Sequence, residues 1–211
     1  MNVLGLIPAR AGSVRAPGKN TAKLGDFSLV EWAIIRAQQS GIFTNIVVST
    51  NDQDVITECN GLDCPVIIRP DNLAQPDTPM LPVVRHALRV MVADVVVLLQ
   101  PTSPFRTSDD IKAAYELLTE NRADAIVSVT EPPEDLVFEL GFAKRLRPAP
   151  MIVVPNGAIY IITKDHLVTM GDWYTGLVFA YEMPKERSLD VDTPLDLEIA
   201  RVMHKKLGQA A

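Results

Sequence analysis

The stretch DVVVLLQPTSPFR, residues 94–106, decides the fold. Behind Asp94 stand five apolar residues, Val95 to Leu99, too few for a helix. A strand that is apolar on both faces predicts a sheet covered on both sides, as in parallel sheets with helical crossovers. The run then breaks at once. Pro101 and Pro104 lock a loop that holds Gln100, Thr102, Ser103 and Arg106 directly behind the strand.

Outward from this run the same alternation repeats. Val3–Pro8, Asn45–Ser49, Val66–Ile68 and Ala125–Val129 read as further buried strands. Between them, Ser28–Gln39, about 54–59, Met80–Val92 and about 108–119 carry helical spacing, with Pro82 in the first turn of its helix and Ser108 as the cap of the last. This is an α/β, Rossmann-like, mostly parallel sheet with helices on both faces. After Glu131-Pro132-Pro133 the character changes. The segments 135–140, 151–154, 158–162 and 177–181 read as strands with one short helix among them. We take them as a β-rich excursion whose residues 131–155 form a short arm. Thr193-Pro194, with Asp196 at N3, opens a last helix to about Leu207. The whole chain, 1–211, reads as one domain.

Composition narrows the function. The chain has 211 residues, 47% hydrophobic and 22% charged, and a formal charge of −6. It needs no staples to fold at this size. An acidic balance argues against a general nucleic-acid binder. The apolar run around 90–99 is short and broken by Asp94, so no membrane segment is expected. The start MNVLGLIPAR lacks the form of a secretion signal. Cys59 and Cys64, with no histidine at finger spacing, read as reduced thiols of a cytoplasmic protein rather than a zinc site. His86, His166 and His204 stand in no partner motif.

One region reverses the charge. Residues 1–25 up to Gly25 hold Arg10, Arg15, Lys19 and Lys23 and no acid. Ala9, Gly12 and Ser13 lie in the loop after the first strand, where small residues let backbone amides approach a ligand, and the cations surround it. That composition suits phosphate. It is neither the P-loop nor the dinucleotide fingerprint. Further along, Asp190 and Asp192 stand two apart in what reads as a strand end, which would put both carboxylates on one side. Such a pair repels unless a cation or separate partners intervene, and Mg²⁺ takes one or two carboxylates plus phosphate oxygens.

These blocks together resemble the acylneuraminate cytidylyltransferase family, the CMP-sialic acid synthetases. The resemblance lies in Pro8-Ala9-Arg10-x-Gly12-Ser13 with Lys19-Asn20, then VSTND at 48–52, RPDNLA at 69–74, LLQPTSPFR at 98–106, SVTEP at 128–132, NGAIYI at 156–161 and LDVDTPLDLEIA at 189–200. It implies a CTP- and Mg²⁺-dependent nucleotidyltransferase that activates a sialic-acid-like (nonulosonic) sugar acid, releases pyrophosphate and works as a homodimer. It implies nucleotide contacts from Ala9, Arg10, Gly12, Ser13, Lys19, Asn20, Arg69, Asp77 and Thr78. It implies sugar contacts from Gln100, Thr102, Ser103, Arg147, Asn156 and Tyr160, and metal ligation by Asp190 and Asp192, with Arg10, Lys19 and Asp192 carrying the chemistry. Two departures stand out. Ala11 and Val14 occupy places where many members have Gly and Lys, so a phosphate contact is missing or supplied by Arg15. The 133–155 segment is also shorter than the usual arm. Alternatives remain: another sugar acid (legionaminate, pseudaminate, 3-deoxy-manno-octulosonate), another base such as guanine, a sugar 1-phosphate enzyme, or a catalytically weak nucleotide-binding homologue. The sugar 1-phosphate enzyme would call for a GGxGxRL-type loop, which is absent.

Overall fold

The structure, a computed structural model, describes residues 1–132 and 153–207. Its frame is a seven-stranded sheet in the order β5-β4-β1-β6-β8-β7-β9. The strands are β1 (Val3–Pro8), β4 (Asn45–Thr50), β5 (Val66–Ile68), β6 (Val95–Leu99), β7 (Ala125–Thr130), β8 (Val154–Thr163) and β9 (Val178–Glu182). A two-stranded ribbon, β2 (Lys23–Leu24) with β3 (Phe27–Ser28), lies apart from it. The helices are α1 (Leu29–Ser40), α2 (Gln53–Gly61), α3 (Met80–Val90), α4 (Ser108–Asn121), α5 (Lys164–Thr169) and α6 (Pro194–Leu207).

The alternation inside β6 explains the two layers. Val95, Val97 and Leu99 enter one apolar core with residues of α1, α2 and α4. Val96 and Leu98 enter a second core with Val84 and Ala87 of α3 and Leu167 of α5. All five are buried, as a strand covered on both faces requires.

Two sequence expectations need correction here. The expected strands at 158–162 and 177–181 do not belong to an excursion from the sheet, because β8 and β9 are integral strands of it. β8 runs antiparallel to both neighbours, β6 and β7, and is the one reversed strand among the seven. Its apolar faces do not distinguish this orientation from a parallel one. The cap of α4 is Thr107 rather than Ser108, since the Thr107 hydroxyl accepts from Asp110 N while the Asp110 carboxylate accepts from Thr107 N. The expected strands at 135–140 and most of the arm at 131–155 lie outside the described residues, and Val154 opens β8.

The topology places the site. From β1 the chain moves to β4 and β5 on one side, then returns to β6 on the other. Ligands in open α/β sheets bind beyond the carboxyl ends of the strands at such a reversal. The loops leaving β1 and β6 open there.

Candidate active site

The loop leaving β1 is tied down before any ligand arrives. Ala9 N donates to Ser49 O at 3.0 Å, and Ala11 N donates to Asn51 Oδ1 at 2.9 Å. Those two amides are therefore taken. Asn20, buried, donates its side-chain amide to Arg10 O at 3.0 Å, so this amide shapes the loop. Gly12 sits at φ 68°, in the left-handed region where a Cβ is strained. The Arg10 guanidinium curls over the loop, donating to Ala11 O and Gly12 O at 3.0 and 2.8 Å.

A cavity of about 230 Å³ opens between this loop and the β6 loop. Arg10, Arg15, Lys19 and Arg69 line it, with Asp192 as the single acid. Ser13, Asn20, Gln100 and Thr102 add polar groups. Arg69 is no surface residue: it is 2% exposed, and its guanidinium donates to Ser49 Oγ at 3.1 Å and Ser49 O at 2.8 Å. No carboxylate pairs with it among the described residues. Burial, with the Arg10 charge adding, lowers its pKa to about 10, so it stays charged at neutral pH. Asp77 and Thr78 are not among the lining residues; Pro76 and Met80 on either side of them are.

A second cavity, about 730 Å³, adjoins the first and shares Gln100 with it. Asn156, Gly157, Tyr160, Ser188 and Asp190 line it, and Glu131 and Lys185 stand there 3.4 Å apart. Its wall is a β-bulge. Pairing of β7 with β8 shifts register between Val127 and Val129. The Ser128 hydroxyl fills the gap, donating to Asn156 Oδ1 at 2.6 Å and accepting from Ile159 N at 2.7 Å. Asn156 Oδ1 also accepts from Ala158 N, and its amide donates to Ser188 Oγ. The side chain of Asn156 thus holds the bulge to the 188 loop. Gly157 takes φ 79° beside it, and Asp190 Oδ2 and Ser103 Oγ lie just under 4 Å from where a Cβ would stand. Tyr160 packs its ring on Trp173, centroids 5.4 Å apart. Ser103 is 1% exposed and its hydroxyl has no partner among the described residues.

Arg106, 1% exposed, fastens the β6 loop to β8 by donating to Gln100 O and Ala158 O at 3.1 and 2.7 Å. Its burial lowers its pKa to about 9. Arg147 lies outside the described residues.

The carboxylate pair differs from expectation. Residues 188–193 form no strand. Val191 is buried against Leu24, Leu29 and Ala200, and its N–H donates to Thr102 O at 2.7 Å. The chain therefore crosses the border of the two cavities, with Asp192 in the first and Asp190 in the second. Lys19 Nζ stands 2.8 Å from Asp192 Oδ1, and Arg15 stands 3.1 Å from Oδ2. Among the described residues, Asp190 has no such cation in contact. Its Oδ1 is buried without a hydrogen-bond partner among the described residues. Burial pushes its carboxyl above the ordinary value and the Asp192 charge adds to this, while the Thr102 hydroxyl and Lys19 oppose it. A buried, unpartnered carboxylate oxygen beside a second carboxylate is a donor set that fits a hard cation.

The segment itself is anchored from α4. The Asp110 carboxylate, 2% exposed, accepts from Arg187 Nε and a terminal nitrogen at 2.9 and 2.8 Å and from the Tyr181 hydroxyl at 3.0 Å. The sequence reading missed this pair, which joins positions 77 apart. It also missed Glu131 and Lys185, whose place in a cavity wall depends on the sheet order.

With this geometry in view, the model of the cytidylyltransferase family matches residues 4–153. The chain belongs to the cytidylyltransferase family. The N-acylneuraminate cytidylyltransferase of Escherichia coli O18:K1:H7 is 33% identical over 97% of this chain, which spans 52% of that protein's length. This chain covers about half of the first curated relatives it matches. The CMP-N,N'-diacetyllegionaminic acid synthase of Legionella pneumophila is 30% identical over 93% of both chains. Among solved structures, a CMP:2-keto-3-deoxy-manno-octonic acid synthetase complexed with CTP superposes with a TM-score of 0.81, covering 98% of this chain and 100% of that one. At 16% identity it speaks for the fold alone. Among the described residues, no helix is long and apolar enough to cross a membrane.

Proposed function

We propose that the protein transfers cytidylate from CTP to a nonulosonic (sialic-acid-like) sugar acid, giving the CMP-sugar and pyrophosphate. One observation carries the reading: a cation-lined cavity and a larger cavity of mixed polar and apolar lining meet at Gln100, with Asp192 facing the first and Asp190 the second. The family and the relatives support the chemistry. The triphosphate occupies the first cavity, where Arg10, Lys19 and Arg69 offset its charge. The sugar acid occupies the second, against Gln100, Asn156 and Tyr160. The anomeric hydroxyl oxygen attacks the α-phosphorus in line. The bond from that phosphorus to the bridging oxygen breaks, pyrophosphate leaves with the electron pair, and the hydroxyl proton passes to solvent. Positioning and charge neutralisation do the work, and no protein nucleophile is required.

Mg²⁺ is proposed as the cofactor, held by Asp190 and Asp192 together with phosphate oxygens. When bound it neutralises charge on the transferring phosphoryl group. The chain's own part is to keep the Asp190 and Asp192 carboxylates at the seam of the two cavities. A cytoplasmic setting suits the two buried free thiols.

The test is pyrophosphate release across the four nucleotides and a panel of sugar acids, including 3-deoxy-manno-octulosonate. CTP with a nonulosonic acid is expected to stand out. No release with any pair would refute the reading. Lys19→Ala should weaken CTP binding by ~10-fold or more in calorimetry, the loss of a charge-assisted phosphate contact. Unchanged CTP affinity would remove Lys19 from the nucleotide site. We also propose a homodimer. Light scattering at micromolar concentration should give about twice the chain mass of 23.1 kDa, and a monomer there would end that proposal.

A further inference from the structure

We infer that Arg15 is an exchangeable cation: it holds Asp192 while the site is empty, and passes to the nucleotide's triphosphate on binding, which releases that carboxylate. The inference rests on the nucleotide reading of the first cavity. Its starting point is an imbalance. Both oxygens of Asp192 are covered by cations of one loop, Lys19 on Oδ1 and Arg15 on Oδ2. At contact distance one carboxylate meets two cations, while Asp190 and Asp196 act on Lys19 from further off.

The two cations are held differently. The Lys19 side chain is 15% exposed and also donates to Val191 O at 3.3 Å, so it is fixed to the segment that carries Asp192. The Arg15 side chain is 72% exposed, and among the described residues Asp192 is its one ionic partner. An exposed pair of that kind is weak and easily exchanged. Arg15 nevertheless lines the cavity that Arg10 and Arg69 line. A triphosphate there offers several anionic oxygens, and the guanidinium fork matches phosphate in two-point contact. Its neighbour Val14, 70% exposed and lining the same cavity, offers no donor. Arg15 therefore adds a movable phosphate contact to those that Arg10, Ser13 and Lys19 of the same loop offer.

The exchange has a consequence with a definite sign. Nucleotide and divalent cation draw on opposite partners of the same ion pair. Removing Arg15 takes a cation from the nucleotide but frees an oxygen of Asp192 for a metal ion. A merely structural role would weaken both ligands together.

The experiment uses the full chain and its Arg15→Gln variant, a change at an exposed side chain. Calorimetry in excess chelator measures CTP and CMP. Paramagnetic resonance measures Mn²⁺ binding to the nucleotide-free protein. CTP affinity is expected to fall by ~10-fold, the scale of one charge-assisted contact, with a smaller change for CMP. Mn²⁺ affinity is expected to rise by ~3-fold or more, as a competing surface ion pair is removed. Arg15→Lys should restore most of both. Unchanged CTP affinity would overturn the inference. Weakened CTP with unchanged Mn²⁺ affinity would leave Arg15 a plain phosphate contact and overturn the exchange. If the unaltered chain bound no CTP at all, the nucleotide reading itself would fall, and a Mn²⁺ affinity unmoved by Arg15→Gln would separately show that Arg15 does not restrain Asp192.

Discussion

Asp192→Asn is expected to lower kcat by at least ~10²-fold, the scale of losing one major electrostatic stabiliser of a transition state. The change keeps shape and removes one charge. Asp192 stands among Lys19, Arg15 and Asp190 at the junction of the two cavities, so its charge acts on whatever reacts there. The fold should tolerate the change. The pair with Arg15 is exposed, and the start of α6 is capped by Asp196, which accepts from Thr193 N at 2.7 Å and Asp192 N at 3.1 Å. A melting temperature close to that of the parent chain, beside a collapsed kcat, would locate the loss in chemistry. CTP binding in excess chelator should be kept or strengthened, because Lys19 and Arg15 lose their intramolecular competitor. Near-normal Mg²⁺-dependent turnover by Asp192→Asn would sink the assignment of Asp192 as a metal ligand.

The contrast between Asp190 and Asp192 also shows what could be read from sequence and what could not. The two-faced apolar run 95–99 and its repeats made the covered α/β sheet legible, because burial on both faces leaves a local mark. The basic loop was legible too, since a stretch with four cations and no acid is a local pattern. The orientation of β8 left no such mark: a central strand is apolar on both faces whichever way it runs. LDVD at 189–192 alternates like a strand, yet Val191 is buried by Ala200 of the next helix and by Leu24 and Leu29, which lie far from it in sequence. Arg69 read as a nucleotide contact and Arg106 as part of the loop behind the strand, but the burial of both left no local mark, because arginine is usually exposed. Their burial depends on carbonyls of Ser49, Gln100 and Ala158 that only the folded chain brings to them.

Asp110 is the clearest product of such distant pairing, and Asp110→Ala is expected to cost about 2–4 kcal/mol of stability. One carboxylate serves two structures. It caps α4 through Thr107 and binds Arg187 and Tyr181, which lie beyond β8. Removing it strips the cap and leaves the Tyr181 hydroxyl and the inner face of Arg187 without their acceptor. Its effect has a definite dependence on pH. The hydrogen bonds from Arg187 and Thr107 outweigh burial and hold the Asp110 pKa below its ordinary 3.8. A carboxylate with a depressed folded pKa contributes stability that is present above its unfolded pKa and lost as pH falls through the folded one. The gap in unfolding free energy between the parent chain and Asp110→Asn should therefore be constant from about pH 7 to 5 and narrow below about pH 4. Urea titrations at those pH values measure it. A gap that stayed constant down to about pH 3 would mean that the charge on Asp110 contributes nothing. The same variant should raise KM for the sugar acid, because Arg187 and Ser188 lead into the segment that carries Asp190. Unaltered kinetics beside lowered stability would show that the Asp110–Arg187 pair anchors the fold without setting the geometry of the second cavity.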